Sequence, residues 1–250
     1  MKTSRLLLCA LFSLLVLPAL RASAQQAVTF PSGNQTASGF LYLPHGPGPH
    51  PALVVIQEWW GVTPWIKEQA ARYAADGYVA LAVDLYRGKV TDDAELAHEY
   101  MRGLPQDQGV RDLVSGFHYL AARRDVDRNR IGAVGWCMGG TFAALLAVSE
   151  PHLRAVAINY GALPTDQSSL ESIHARVLGN FGALDHGIPP EAVHDFEASM
   201  RSLGKPVDAK IYSDAGHAFE NPGNKTGYRP ADAADALGRI DRFFAATLKH

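Results

Sequence analysis

From residue 52 onward, apolar positions fall into short runs separated by longer amphipathic stretches. The runs cover residues 52–56, 78–83, 130–134, 155–159, 175–180 and 207–212, and most are nearly continuous in Val, Ile, Leu and Ala. Such runs predict strands buried on both faces. The stretches at 64–76, 92–102, 106–123, 190–203 and 231–248 carry helical periodicity. Pro64 suits a first helical turn, and Gly77 and Gly204 suit helix stops. Before residue 52 the pattern changes. Residues 25–48 predict an edge hairpin, with strands at 27–30 and 40–43 around the turn-forming Pro31-Ser-Gly-Asn34. Strand–helix alternation predicts one α/β domain over 25–250, a mostly parallel sheet with helices on both faces. No internal repeat or low-complexity tract interrupts it.

Residues 1–24 stand apart. Lys2 and Arg5 precede an apolar stretch at 6–20, and Ala22-Ser-Ala24 has the small residues of a cleavage site. This predicts a signal peptide removed after Ala24 and an exported, periplasmic or secreted protein without a stable membrane anchor. The apolar run is short for a membrane span and is broken by Pro18. Losing Lys2, Arg5 and Arg21 takes the 23 basic residues to 20 against 25 acidic ones, a formal charge of −5. With no basic run, no nucleic-acid partner is expected. Loss of Cys9 leaves Cys137 as the one cysteine of the mature chain, so no internal disulfide is expected.

Cys137 is the centre of the candidate chemistry. An apolar run enters Gly135-Trp-Cys137-Met-Gly139-Gly140, and Thr141-Phe-Ala-Ala-Leu-Leu-Ala leaves it as a helix. That is the strand–turn–helix context of a nucleophile elbow, with a thiol in place of a hydroxyl. A lone cysteine is more often a buried packing residue, but the small residues flanking this one favour the nucleophile. A thiol nucleophile needs a base and a group that orients the base. Two later strands each lead into a candidate: Asp185 in Asn180-Phe-Gly-Ala-Leu-Asp185-His186, and His217 in Ser213-Asp214-Ala-Gly-His217. Nucleophile, acid and histidine then follow in the order of an α/β-hydrolase, all at the C-terminal edge of the sheet. His186 competes for the base but is too close to the acid, and Asp214 competes for the acid but is too close to His217. Backbone N–H groups of Met138 and Trp59 are the expected oxyanion donors. Trp60 reads as a packed aromatic neighbour. Glu58 is a carboxylate at the end of a buried strand, so it must find a partner or influence the thiol.

Together these residues resemble the dienelactone hydrolase family. The resemblance rests on Gln57-Glu58 before Gly61, Asp84-Leu85-Tyr86, Gly135-Trp-Cys137-Met-Gly139-Gly140, Asp185, and His217 with Phe219. It spans nearly the whole mature chain. It implies the α/β-hydrolase fold and a monomeric, cofactor-free and metal-free hydrolase with a Cys137–His217–Asp185 triad. It also implies that Glu58 contacts the resting thiol and moves away when substrate binds. Two departures stand out. The best-known members act in the cytoplasm, and they hold a substrate carboxylate with arginines where this chain has Asn221 and Leu96, with Arg102 nearby. Asparagine cannot form the bidentate contact of a guanidinium. The expected substrate is therefore a small ester or lactone rather than dienelactone itself. A peroxide-reactive thiol protein and a non-catalytic binding protein on the same scaffold are the competing classes. The first lacks a resolving cysteine and the second would be expected to have lost part of the triad.

Overall fold

A computed structural model describes residues 25–250, and the expected signal peptide lies outside them. The chain enters through a hairpin, β1 (Gln26–Ser32) and β2 (Gln35–Tyr42). Its register pairs Gln26 with Leu41 and Ser32 with Gln35, leaving a two-residue turn at Gly33-Asn34. Gly33 takes φ +59°, which a primed hairpin turn requires and glycine permits. The strands are thus longer than the apolar segments alone indicated. Backbone pairing carries β1 through Pro31, tolerated because β1 is an edge strand.

The remaining strands are β3 (His50–Ile56), β4 (Val79–Asp84), β5 (Val126–Trp136), β6 (Ala155–Asn159), β7 (Arg176–Gly182) and β8 (Val207–Tyr212). The eight-stranded sheet runs β1-β2-β4-β3-β5-β6-β7-β8. β2 is antiparallel to β1 and β4, and all later pairings are parallel. The helices are α1 (Pro64–Ala75), α2 (Ala94–Arg102), α3 (Gln106–Ala121), α4 (Met138–Ser149), α5 (Gln167–Ser172), α6 (Pro190–Ser202) and α7 (Pro230–Leu248). The short α5 was not anticipated. Its start is set by Asp166, whose carboxylate accepts from Ser169 N at 2.9 Å, a local capping event rather than an apolar rhythm.

The continuous apolar strands serve two cores at once. In β3, Ala52, Val54 and Ile56 join the layer under α3 and α4, while Leu53 and Val55 join the layer under α1 and α7. β4 divides in the same way, Val79, Leu81 and Val83 against Ala80 and Ala82. Period-two geometry sends successive side chains to opposite faces, so burial on both erases the alternation. One layer is filled by Leu113 and Phe117 of α3 and Phe142 and Leu146 of α4, the other by Ile66 and Tyr73 of α1 and Ile240 and Phe244 of α7.

β5 lies between β3 and β6, at the point where the strand order reverses. Loops on the two sides of such a point diverge and leave a crevice beyond the strand ends. β5 and α4 meet there at van der Waals limit: a Cβ on Gly135 would collide with the carbonyl of Gly139, and one on Gly139 with the carbonyls of Ile56 and Gln57. Gly135→Ala is expected to cost about 3 kcal/mol through overpacking. A urea-unfolding midpoint equal to wild type would show that strand and helix have room to part.

Candidate active site

Cys137 occupies the turn between β5 and α4. Its φ and ψ are 58° and −123°, outside the conformations a β-carbon-bearing residue normally adopts. Holding it there costs on the order of 1–3 kcal/mol, and the surroundings over-determine it. Cys137 N donates to Asn159 O at 3.0 Å, and Cys137 O accepts from Gly140 N at 2.9 Å and Thr141 N at 3.2 Å. Beneath the turn runs a buried polar ladder. Asn159 Nδ2 donates to Gly135 O at 3.0 Å, Asn180 Nδ2 to Asn159 Oδ1 at 2.9 Å, and Arg239 Nη1 to Asn180 Oδ1 at 2.5 Å. Both asparagines are fully buried, Asn159 at the end of β6 and Asn180 within β7, and each satisfies the next. They were not singled out in the sequence, although an asparagine closing an apolar strand is the same kind of signal that Glu58 gave.

Asp185 lies in the loop after β7 and His217 in the loop after β8. Asp185 Oδ2 accepts from His217 Nδ1 at 2.7 Å, while Oδ1 accepts from Gly187 N at 2.9 Å and Ile188 N at 3.3 Å. Burial alone would raise the Asp185 pKa, but the bonds from His217 and these amides hold it below the ordinary carboxylate value. The ionised carboxylate engages Nδ1 and so fixes the orientation of the ring. Burial would lower the His217 pKa. Its bond to Asp185 and the neighbouring Cys137 outweigh this and push it up to about 10. The rivals stand elsewhere: neither His186 nor Asp214 lines the cleft that Cys137 and His217 share.

Glu58 is buried, and its Oε2 accepts from Asn221 Nδ2 at 2.5 Å. Asn221 is thus the partner that the isolated carboxylate required, a link between the β3 loop and the His217 segment that sequence separation concealed. Burial raises the Glu58 pKa to about 7, against the opposing pull of Asn221 and His217. The neighbouring motif residues brace loops. Gln57 Oε1 accepts from Leu85 N at 3.1 Å, and Asp84 accepts from Tyr86 N at 3.0 Å and Gly88 N at 2.5 Å. Met138 is the first residue of α4, so its N–H has no intrahelical acceptor and stands beside the thiol. Trp59 lines the same cleft, its ring packed edge-on against Trp60 at 4.7 Å.

A second buried carboxylate, Glu220, was also missed. Its Oε2 accepts from Trp136 Nε1 at 2.8 Å, joining the residue before Cys137 to a residue three past His217. Tyr160, at φ 39°, packs its ring against His217 at 5.3 Å. The cleft over these groups encloses about 1090 Å³. No cluster of three or more His, Cys, Asp or Glu suited to a metal occurs among the described residues. No helix among them is long and apolar enough to cross a membrane.

Burial raises the Glu220 pKa to about 8, with Trp136 opposing and the Glu58 charge adding. The folded state therefore holds this proton more tightly than the unfolded chain, whose glutamate titrates near its ordinary value of 4.5. Stability from this group is full below that value and is lost as pH rises towards 8. Glu220→Gln keeps an acceptor for Trp136 and cannot ionise. Its Tm relative to wild type is expected to climb steadily between pH 4.5 and 8 and then level off. Thermal melts across that range check this, and a difference independent of pH would mean that Glu220 is ionised throughout.

Comparison with known proteins agrees with this geometry. The model of the dienelactone hydrolase family matches residues 37–248. Two relatives carry the name "Putative carboxymethylenebutenolidase". That of Methylorubrum extorquens is 31% identical over 231 residues, covering 87% of this chain and 79% of the relative. That of Escherichia coli O157:H7 is 33% identical over 211 residues, covering 79% and 77%. A crystal structure titled "Putative Dienelactone Hydrolase", from Klebsiella pneumoniae, superposes with a TM-score of 0.79 at 28% identity, covering 89% of this chain and 99% of that one. With a hydrolase sheet, a cleft at its switch point and a family match across nearly all described residues, the chain belongs to the dienelactone hydrolase family and is a lactone or ester hydrolase of α/β-hydrolase fold.

Proposed function

We propose that this protein is an exported thiol hydrolase that cleaves a small ester or lactone through Cys137, His217 and Asp185. The observation that carries the reading is the 2.7 Å Asp185–His217 pair beside a cysteine held at positive φ at the head of α4. His217 takes the thiol proton, and Asp185 stabilises the resulting imidazolium. The sulfur attacks the carbonyl carbon, and the C=O electron pair moves onto oxygen to give a tetrahedral oxyanion. The N–H groups of Met138 and Trp59 are the donors assigned to that oxygen. As the carbonyl re-forms, the C–O bond to the leaving group breaks, and His217 gives its proton to the departing oxygen. Water then loses a proton to His217 and attacks the thioester. The sulfur leaves and recovers the proton.

Glu58 enters as a modulator of this cycle. Held by Asn221 and with its pKa raised to about 7 by burial, it adds a charge beside the site that varies around neutral pH. Ionised, it disfavours a second anion nearby, which protects an exported thiol from oxidation. Export itself follows from the residues at 1–24 and predicts a mature chain starting at Gln25. An intact mass of the protein recovered from the periplasmic fraction checks that, and an unprocessed chain would refute it.

Turnover of short aryl esters by the purified mature protein tests the triad. Cys137→Ala is expected to lose all measurable turnover with its thermal melt retained. His217→Ala should fall by roughly a thousandfold and Asp185→Asn by roughly a hundredfold or more, since base and orienting acid contribute on that scale. His186→Ala should keep wild-type rates. A Cys137→Ala protein that keeps most of its activity would remove the nucleophile from this reading.

A second prediction concerns Glu58→Gln, which removes the charge and keeps the acceptor for Asn221. Alkylation of Cys137 by iodoacetamide near pH 7.5 should be faster than in wild type, together with faster inactivation by peroxide. Equal alkylation rates across a pH series would leave Glu58 a bracing role only.

A further inference from the structure

The cleft is not evenly built. One wall comes from a single segment, the loop after β3 and the first turn of α1, which places three indoles there: Trp59, Trp60 and Trp65. None of the three is fully buried. Trp59 is fixed edge-on between Trp60 and His98, with ring centroids 4.7 and 4.8 Å away. Trp65 is fixed on Trp136, the residue before the thiol, at 5.1 Å. These rings are held by one another and by the core, yet each leaves area open to the cleft. Aromatic surface left open in the cleft that holds the thiol favours a ligand site, because exposing it to water costs free energy that an occupant recovers. Asn221, Asn224 and Thr226, from the segment after β8, line the same cleft and offer amides and a hydroxyl instead.

Charge narrows the occupant further. Among the described residues no arginine lines the cleft. Its lysine, Lys225, is exposed. The acids Glu58 and Asp92 line it too, with Glu58 buried beside Asn221. A substrate carboxylate would find no guanidinium here, and Asn221 cannot give it a bidentate contact. The volume, about 1090 Å³, exceeds what a two- or three-carbon ester fills and leaves room for a ring.

From this wall, volume and charge we infer that the substrate is a neutral arylalkyl ester. Its aromatic ring lies against Trp59, Trp60 and Trp65 while its carbonyl sits at Cys137. The inference rests on the hydrolase reading above and adds the substrate class to it. The ring supplies binding energy remote from the bond that breaks, so its effect appears mainly in KM.

The test compares ethyl phenylacetate and benzyl acetate, which carry the ring on the acid or alcohol side, with ethyl acetate and monoethyl succinate, all followed by pH-stat titration. At least one aromatic ester is expected to exceed ethyl acetate about tenfold or more in kcat/KM, as burying a ring warrants. Monoethyl succinate should be no better than ethyl acetate. In Trp65→Ala, and separately in Trp60→Ala, the aromatic-to-ethyl-acetate ratio should fall towards one. Wild type without an aromatic preference, or one preferring the succinate ester, overturns the inference while leaving the hydrolase reading intact. Calorimetry on Cys137→Ala separates the other failure. Saturable binding of an aromatic ester, with no turnover of any ester by wild type, would keep the cleft assignment and reject the hydrolase reading. Equal binding of ethyl phenylacetate and monoethyl succinate would reject the cleft assignment as well.

Discussion

The turn at Cys137 is the constraint on which the site depends. A residue with a β-carbon is held at φ 58° between the glycines at 135, 139 and 140 and by backbone bonds to Asn159, Gly140 and Thr141. Gly135 and Gly139 let β5 and α4 touch, and Gly140 packs against Gly161 of the next loop. The Asn159–Asn180–Arg239 ladder then ties the end of β5 to β6, β7 and α7. The strain is thus opposed by contacts in three strands and two helices, and the thiol projects from the sheet edge instead of folding back into the core.

Two buried carboxylates share the ground beneath the cleft, and each bridges distant segments. Glu58 reaches from the end of β3 to Asn221, and Glu220 reaches from the His217 segment to Trp136. Desolvation raises both pKa values into the neutral range, and each raises the cost of ionising the other. Asp185 shows the opposite outcome, because it is less deeply buried and His217 and two amides satisfy it. Burial and partners together decide which acid is ionised beside the thiol. A fixed charge orients the histidine, and titratable ones lie behind the nucleophile.

The loop after β3 links fold to selectivity. Gly61, at φ 93°, turns the chain where a Cβ would strike the Lys89 carbonyl, and Thr63 accepts from Ile66 N to open α1. Within these few residues the chain supplies a buried acid, the backbone amide of Trp59 and the aromatic wall. The proposed oxyanion donor and the proposed substrate wall thus share one short connection anchored at both ends by regular structure.

Much of this was written in the chain itself. Strands buried on both faces appear as unbroken apolar runs, and Pro64 with Gly77 bounds a helix, because these signals are local and backbone-driven. The Gly-x-Cys-x-Gly turn is also local, so Cys137 could be read directly, and chain order brought Asp185 and His217 with it. The extension of β1 through Pro31 and the short α5 were not legible, since cross-strand pairing and a single cap made them. Nor were the partners of Glu58 and Glu220, which lie 163 and 84 residues away in the chain. A buried acid announces in sequence that it needs a partner, but only the packing of separate strand ends decides which residue fills that need, and so where charge resides in the site.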